Sequence, residues 1–354
     1  VNNHNSARPN KAMNLEDIAA KAGVSRSTVS RVINNEPYVS PKTRAKVEAV
    51  IQEEGFTPNP AARTLVTQRT KAIGIVIPHI LNAISGDDAY FSTLLRGITE
   101  VTTQRDHATL LWLEHTNDNE ESFRRRILQN RMMDGLIVAS AATNDPLFKH
   151  LIEAGRHFVT VERPNQFQEY TNYVTVNNVA AAQTAVEHLI GLGRRRIATI
   201  TGNLNISDGE DRLIGYRNAL EAAGIPYDEN LVIPAQFNRN QGYLGMKQLL
   251  NRNFDAIFAA NDAIALGVIQ AANETGHRIP EDFALVGFDD MNIATQLKPQ
   301  LTTMRQPVAE KGARAADLLI DLIEGKLESP QRILLPTELI IRASCGAKAV
   351  EARE

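Results

Sequence analysis

The amino-acid sequence predicts an all-α helix-turn-helix head joined by a hinge helix to an α/β core of two lobes. Three observations carry that prediction. Short capped amphipathic helices with glycine stops crowd the stretch from Asn14 to Gly55, and from Ala72 onward strand-length apolar runs alternate with amphipathic helices. The charge also divides: residues 1–72 hold 11 Lys and Arg against 6 Asp and Glu, a net +5, whereas the remainder carries −8. A basic segment and an acidic one face different partners.

In the head, polar and aperiodic residues 1–13 read as a disordered tail, and the domain proper as 14–57. Asn14 caps a first helix that buries Leu15, Ile18, Ala19 and Ala22 and stops at Gly23. The segment AGVSRSTVSRVINN, residues 22–35, supplies a second helix behind Ser25. At roughly 100° per residue its Val29, Val32 and Ile33 project together, and Ser27, Ser30, Arg31 and Asn34 face away. Ser40 caps a third helix with Pro41 at its first position, burying Val47, Val50 and Ile51 before Gly55. A small all-α packing unit would account for the hairpin alone. It would not account for Arg26, Ser27, Ser30, Arg31 and Asn34, with Ser25 and Thr28 at the helix start, on the outward side of a basic segment. Arginine grips guanine edges in a bidentate way, and Ser and Asn read bases or hold phosphates, so this is a candidate recognition helix for the major groove.

Residues 58–71 read as a hinge. Pro58 and Pro60 block a continuous helix, and PAARTLV forms about two turns. A helix so short barely recovers its nucleation cost, so it orders only when something binds it.

Residues 72–345 read as the core and 346–354 as a tail. Continuous apolar strands such as AIGIVIP, GLIVAS, RIATITG and FALVGFDD imply parallel sheets covered on both faces, and their number implies two lobes in succession. The first lobe is expected over 72–175 and 304–330, the second over 176–303 and 331–345, with the closing strand-helix-strand crossing between them. Ligands of open α/β sheets sit beyond the carboxyl ends of strands. Arg212, Asn261, Asp262, Asp289 and Asp290 fall at strand ends or early in the next helix, where each serves as a ligand contact or as a loop or cap residue.

Other classes find less support. The single cysteine, Cys345, permits no internal disulfide, no apolar run approaches the ~18 residues of a membrane-spanning helix, and the polar start lacks a secretory signal's apolar centre. A cytoplasmic protein with no membrane partner is expected. GLGRRR has two glycines of a dinucleotide loop but follows a helix and precedes a strand, the reverse of the required order. Neither paired metal spacing nor a nucleophile elbow is present, so no enzyme, metal or cofactor is expected.

The stretch NLEDIAAKAGVSRSTVSRVINNEPYVSPKTRAKVEAVIQEEGFTPNPAARTL resembles the DNA-binding head and hinge of the LacI/GalR family of bacterial transcription regulators. DRLIGYRNAL, IFAANDAIALGVIQAANETG, ALVGFDD, KPQLTTMRQP and LLPTELIIRAS resemble that family's ligand-binding core, so the likeness spans residues 14–345. It implies Rossmann-like lobes arranged as in periplasmic binding proteins, and a homodimer gripping double-stranded operator DNA under the control of a small effector. Arg26, Ser27 and Arg31 then match operator contacts, Asn59 and Ala62 lie in the hinge helix, and Leu65 matches the leucine that wedges into the minor groove. Arg212, Asn261 and Asp289 match polar anchors of the effector; Tyr90, Phe91 and Phe237 match its aromatic walls; Glu162 adds an acceptor. The resemblance implies a repressor released by a sugar. A purine corepressor is the alternative, since flat rings stack on either. A transport-associated sugar-binding protein would share the lobes but not the head. Only AKAVEARE follows Gly346, with no leucine-heptad tail, so a dimer rather than a tetramer is expected.

Overall fold

The structure is a computed structural model that describes residues 13–34, 36–57, 69–77, 89–113, 120–139, 142–328 and 330–347. The chain divides into two compact units, Val1–Thr70 and Lys71–Glu354. Residues 1–12 of the expected tail and the hinge residues Asn59, Ala62 and Leu65 lie outside the described residues, whereas Met13, the last residue of that tail, packs against the core of the head.

The first unit holds α1 (Leu15–Ala22), α2 (Arg26–Ile33) and α3 (Pro41–Glu53). Asn14 and Asp17 cap each other's backbone N–H reciprocally at 3.0 Å, and Gly23 ends α1 at φ 59°, a left-handed conformation that costs other residues energy. Ser25 and Ser40 cap the next two helices. Ile18, Ala22, Val29 and Val47 are fully buried, with Leu15, Ile33, Val50, Ile51 and Phe56 packed around them. That small core fixes which side of α2 faces water.

The second unit carries two six-stranded sheets. The first lobe is built from β1 (Ala72–Ile77), α4 (Tyr90–Gln104), β2 (Ala108–Leu113), α5 (Glu120–Gln129), β3 (Gly135–Ala139), α6 (Pro146–Glu153), β4 (His157–Val161) and β5 (Asn172–Val176). The second runs through α7 (Asn178–Gly191), β6 (Ile197–Ile200), α8 (Ser207–Ala222), β7 (Val232–Ile233), α9 (Arg239–Leu249), β8 (Ala256–Ala259), α10 (Asp262–Glu274), β9 (Ala284–Asp289), α11 (Ile293–Gln296) and β10 (Thr302–Arg305). The chain ends with α12 (Val308–Ile323), β11 (Arg332–Leu335) and β12 (Glu338–Ile340). Strand orders are β11-β5-β4-β3-β1-β2 and β12-β10-β9-β8-β6-β7, and every pairing is parallel except β10 with β12.

Two expected lobe boundaries need correction. β10 pairs with β9 through Arg305↔Asp289, so the second lobe keeps the chain past residue 304. β11 pairs with β5, Arg332↔Tyr173 to Leu335↔Val176, so residues 332–335 belong to the first lobe rather than the second. The physical reason is Pro336, which cannot continue a ladder and splits the apparent single strand into β11 and β12, one for each sheet.

α12 packs on α4 at backbone contact. A Cβ on Gly97 would lie 1.9 Å from the carbonyl oxygen of Ala309, and one on Gly312 would lie 2.3 Å from that of Leu94. Only glycine permits that approach, and it sets the position of the α4 N-terminus, where Tyr90 and Phe91 stand.

Candidate functional site

The α2 surface is organised by Ser25. Its Oγ accepts from Thr28 N at 3.2 Å and lies 2.8 Å from the hydroxyls of Ser27 and Thr28, a cap that satisfies an otherwise open helix end. Arg26, Ser27 and Arg31 are exposed, whereas Thr28, Ser30 and Asn34 are half-buried, with Asn34 Nδ2 donating to Ser30 Oγ at 3.4 Å. Arg26 pairs with Glu16 at 3.0 Å and Arg31 with Glu36 at 3.7 Å. Exposed pairs of this kind are worth about 0–1 kcal/mol, so either guanidinium can leave its partner at little cost. Arg44, which sequence reasoning missed, donates from α3 to Val32 O at 3.3 Å and to Glu36 O at 2.7 Å. It satisfies carbonyls at the C-terminal end of α2 and places positive charge where the helix dipole favours it.

In the core, a small cavity is lined by Tyr90, Phe91, Ile206, Asp208, Arg212, Phe237, Asn261 and Asp289. Six of the seven residues expected from the sequence thus line one space, contributed by α4 of the first lobe and by strand ends and helix starts of the second. The seventh, Glu162, stands behind Tyr90, whose hydroxyl donates to it at 2.9 Å. Glu162 and Asp289, after and at the ends of β4 and β9, adopt φ of 84° and 111°, conformations rare for residues with side chains.

Arg212 is 3% exposed. Its guanidinium donates to Ala260 O at 2.6 Å and to Asn178 Oδ1 at 3.0 Å, stands 3.5 Å from Asp289, and lies over the rings of Phe288 and Phe237 at 3.7 and 5.3 Å. Carboxylate and π-faces together compensate a charge taken out of water. Asp289 accepts from Gln306 Nε2 at 2.5 Å, and the fully buried Lys311 donates to Gln306 Oε1 at 2.5 Å and to Glu162. Thr175 Oγ1 donates to Glu162 at 2.7 Å, and Asn178 Nδ2 to Asp208 at 3.4 Å. A continuous polar network therefore runs from one lobe to the other behind the cavity.

This network sets proton affinities. Burial raises Asp208 well above the ordinary carboxylate range, and the nearby charge of Glu162 raises it further against the pull of Arg212 and Lys311. Burial also pushes Glu162 upward, but the Lys311 ammonium overrides it and holds the group low. Burial and Glu162 raise Tyr90, which stays a neutral phenol donor.

Asn261 both lines the cavity and caps α10, its Oδ1 accepting from Ile264 N at 2.9 Å. Asp262 accepts from Thr303 Oγ1 at 2.6 Å and Met291 N at 2.7 Å, and Asp290 pairs with Arg305 and Arg342 at 2.7 Å each; both act as fasteners of the second lobe. Asp208 and Ile206 were missed, although Asp208 precedes Arg212 by one helical turn. Among the described residues no group of three or more His, Cys, Asp or Glu is placed to hold a metal, and no helix is long and apolar enough to cross a membrane.

Residues 14–59 match the family model described as bacterial regulatory proteins, lacI family, and residues 186–345 match the periplasmic binding protein-like domain. The HTH-type transcriptional regulator CelR of Thermobifida fusca is 39% identical over 333 residues, 93% of this chain and 97% of that protein. The HTH-type transcriptional repressor PurR of Shigella sonnei is 32% identical over 334 residues, 93% of this chain and 96% of that one. Among solved structures, a transcriptional regulator CelR–cellobiose complex superposes with a TM-score of 0.73 at 35% identity, covering 94% of this chain and 99% of that one. A lac repressor dimer bound to operator and the anti-inducer ONPF gives 0.82 at 26% identity, covering 95% and 100%.

Proposed function

The chain belongs to the lacI family of bacterial regulatory proteins, and on that premise we propose that its interlobe cavity takes a sugar whose binding loosens a homodimer's grip on operator DNA. The chain is a helix-turn-helix transcription regulator; the identity of its effector and the sign of the response are the parts proposed. The observation that carries the effector is the composition of the cavity wall. Tyr90, Phe91 and Phe237 offer flat apolar faces, while Arg212, Asp208, Asn261 and Asp289 offer donors and acceptors of both signs around them. A sugar ring presents an apolar face of C–H groups and a rim of hydroxyls that donate and accept, so it matches both sets at once. Its neutrality suits a site whose charges are already paired.

Arg26, Ser27, Ser30, Arg31 and Asn34, with Ser25 and Thr28 holding the helix start, are the proposed groove contacts, and Asn59, Ala62 and Leu65 the proposed hinge contacts. Effector binding favours one placement of the lobes, and release follows if that placement disfavours the DNA-bound state. A purine effector is the second reading, because the chain is 32% identical to a PurR repressor and the same rings would stack on a base. Thermal-shift titration with glucose, cellobiose, ribose, hypoxanthine and guanine decides between them. The sugar reading expects stabilisation by a saccharide and none by the bases; stabilisation by a base alone contradicts it.

A further inference from the structure

The two lobes are joined by direct bonds at one side of the cleft. Thr143 N and Oγ1 donate to Asn205 O at 2.6 and 2.8 Å, Asn165 Nδ2 donates to Glu210 Oε2 at 3.0 Å, and Arg163 pairs with Asp211 at 2.7 Å. Behind these bonds Glu162, just after β4 of the first lobe, and Asp208, in the first turn of α8 of the second, line one small space. Two carboxyl groups therefore face each other across the junction, within hydrogen-bonding reach and each 6% exposed.

The charges around them leave room for one proton. Three carboxyls, Glu162, Asp208 and Asp289, are buried there with two cations, Lys311 and Arg212. Lys311 of α12 donates to Glu162, Arg212 of α8 stands 3.5 Å from Asp289, and Arg163 at the rim is taken by Asp211. Asp208 is the carboxyl left over. Among the described residues no cation forms an ion pair with it, and the amide of Asn178, at the start of α7, reaches it only at 3.4 Å. Tyr90 of α4 and Asp289 of β9, which line the cavity with it, bring no positive charge. A buried carboxylate without a counter-charge takes up a proton rather than stay ionised. Glu162 holds its own charge: Oε1 takes the Tyr90 hydroxyl and the Lys311 ammonium, while Oε2 takes Thr175 Oγ1 at 2.7 Å and keeps a lone pair for an acid O–H. Burial and Glu162 both push Asp208 toward the neutral acid.

We propose that closing the two lobes takes up one proton, carried by Asp208 and donated to Glu162 across the junction, so that protons act as a second effector beside whatever fills the cleft. Opening lets water reach both carboxyls, each ionises in its ordinary range, and the proton leaves. In the pH range where the open form has lost that proton and the closed form keeps it, closure weakens about tenfold for each pH unit. The coupling is independent of which ligand the cleft binds.

Hydrogen exchange of the full-length, ligand-free protein tests this, because the Thr143 amide is tied across the junction and is freed when the lobes part. Its protection factor, corrected for intrinsic exchange, is followed from pH 5 to 8 beside those of β8, whose amides are freed only when the second lobe itself opens. Wild-type protection at Thr143 is expected to fall by about tenfold per pH unit over part of that range, more steeply than at β8. Asp208→Asn keeps the size of the side chain and has no proton to lose; Asp208→Ser removes the carboxyl altogether. Each is expected to flatten the fall at Thr143, whatever it does to the level, and a loosened contact alone would lower the level without changing the slope. Wild-type protection that is constant with pH, a fall that merely follows β8, or a fall that survives in whichever variant folds overturns the proton uptake.

Discussion

Arg212 at once lines the cavity and counters the charge of Asp289, so its proposed ligand role and its structural role separate only by measurement. Replacing it by Met leaves Asp289 buried without its guanidinium, a change that costs about 3–5 kcal/mol in comparable buried pairs. The Arg212→Met core is expected to unfold at lower urea than wild type and to show no saccharide-induced thermal shift, with operator binding retained under conditions where it is folded. An unchanged shift removes Arg212 from the site. Asp208 supplies a pH test. Its folded-state proton affinity is raised by burial and by Glu162, so between the ordinary carboxylate value of ~3.9 and that raised value the folded core holds a proton the unfolded chain has released. Stability is therefore present at low pH and falls as pH rises through the folded value. Asp208→Asn should flatten that fall in urea melts between pH 5 and 8 and stabilise the core at the upper end; Asp262, Asp211 and Asp289, also raised chiefly by burial, keep some slope in place. Identical slopes for wild type and variant would remove Asp208 as a contributor. Strand ends marked Arg212, Asn261 and Asp289 together with Asp262 and Asp290, and only the family resemblance separated the first three from the other two. Lys311 was not marked, since a lysine on an amphipathic helix reads as solvated until the fold shows Glu162 and Gln306 beside it.

At the scale of elements, the caps were legible and the cross-helix supports were not. Asn14, Gly23, Ser25, Ser40 and Pro41 act on their own helices, so local sequence announces them. Arg44 acts on the end of a different helix, twelve residues from Val32, and no local pattern marks it. Arg44→Leu is expected to lower the melting temperature of the head and weaken binding to specific and nonspecific DNA alike, with core melting unchanged; loss of specific binding alone would instead place Arg44 among base contacts. The glycine contact between α4 and α12 gives a second prediction. Gly312→Ala forces a methyl against Leu94 O and should destabilise the core by about 1–3 kcal/mol, the usual cost of overpacking, while weakening saccharide binding through displacement of Tyr90 and Phe91. The β11–β12 split belongs to the same class of hidden feature: Pro336 was visible, but which sheet each short strand joins depends on edges assembled from distant parts of the chain.

For the whole molecule, the division of charge assigns DNA to the first unit and leaves the acidic second unit to bind a ligand. The central claim is that the cavity occupant governs DNA affinity, which binding to either unit alone does not establish. Fluorescence anisotropy on a promoter fragment selected from genomic DNA by the protein itself, at fixed salt and with increasing saccharide, reads that coupling directly. The saccharide that stabilises the core is expected to raise the operator Kd at least tenfold, at the concentration where it saturates the core, and Arg212→Met to abolish the effect. A saccharide that saturates the cavity and leaves operator affinity unchanged would contradict that coupling.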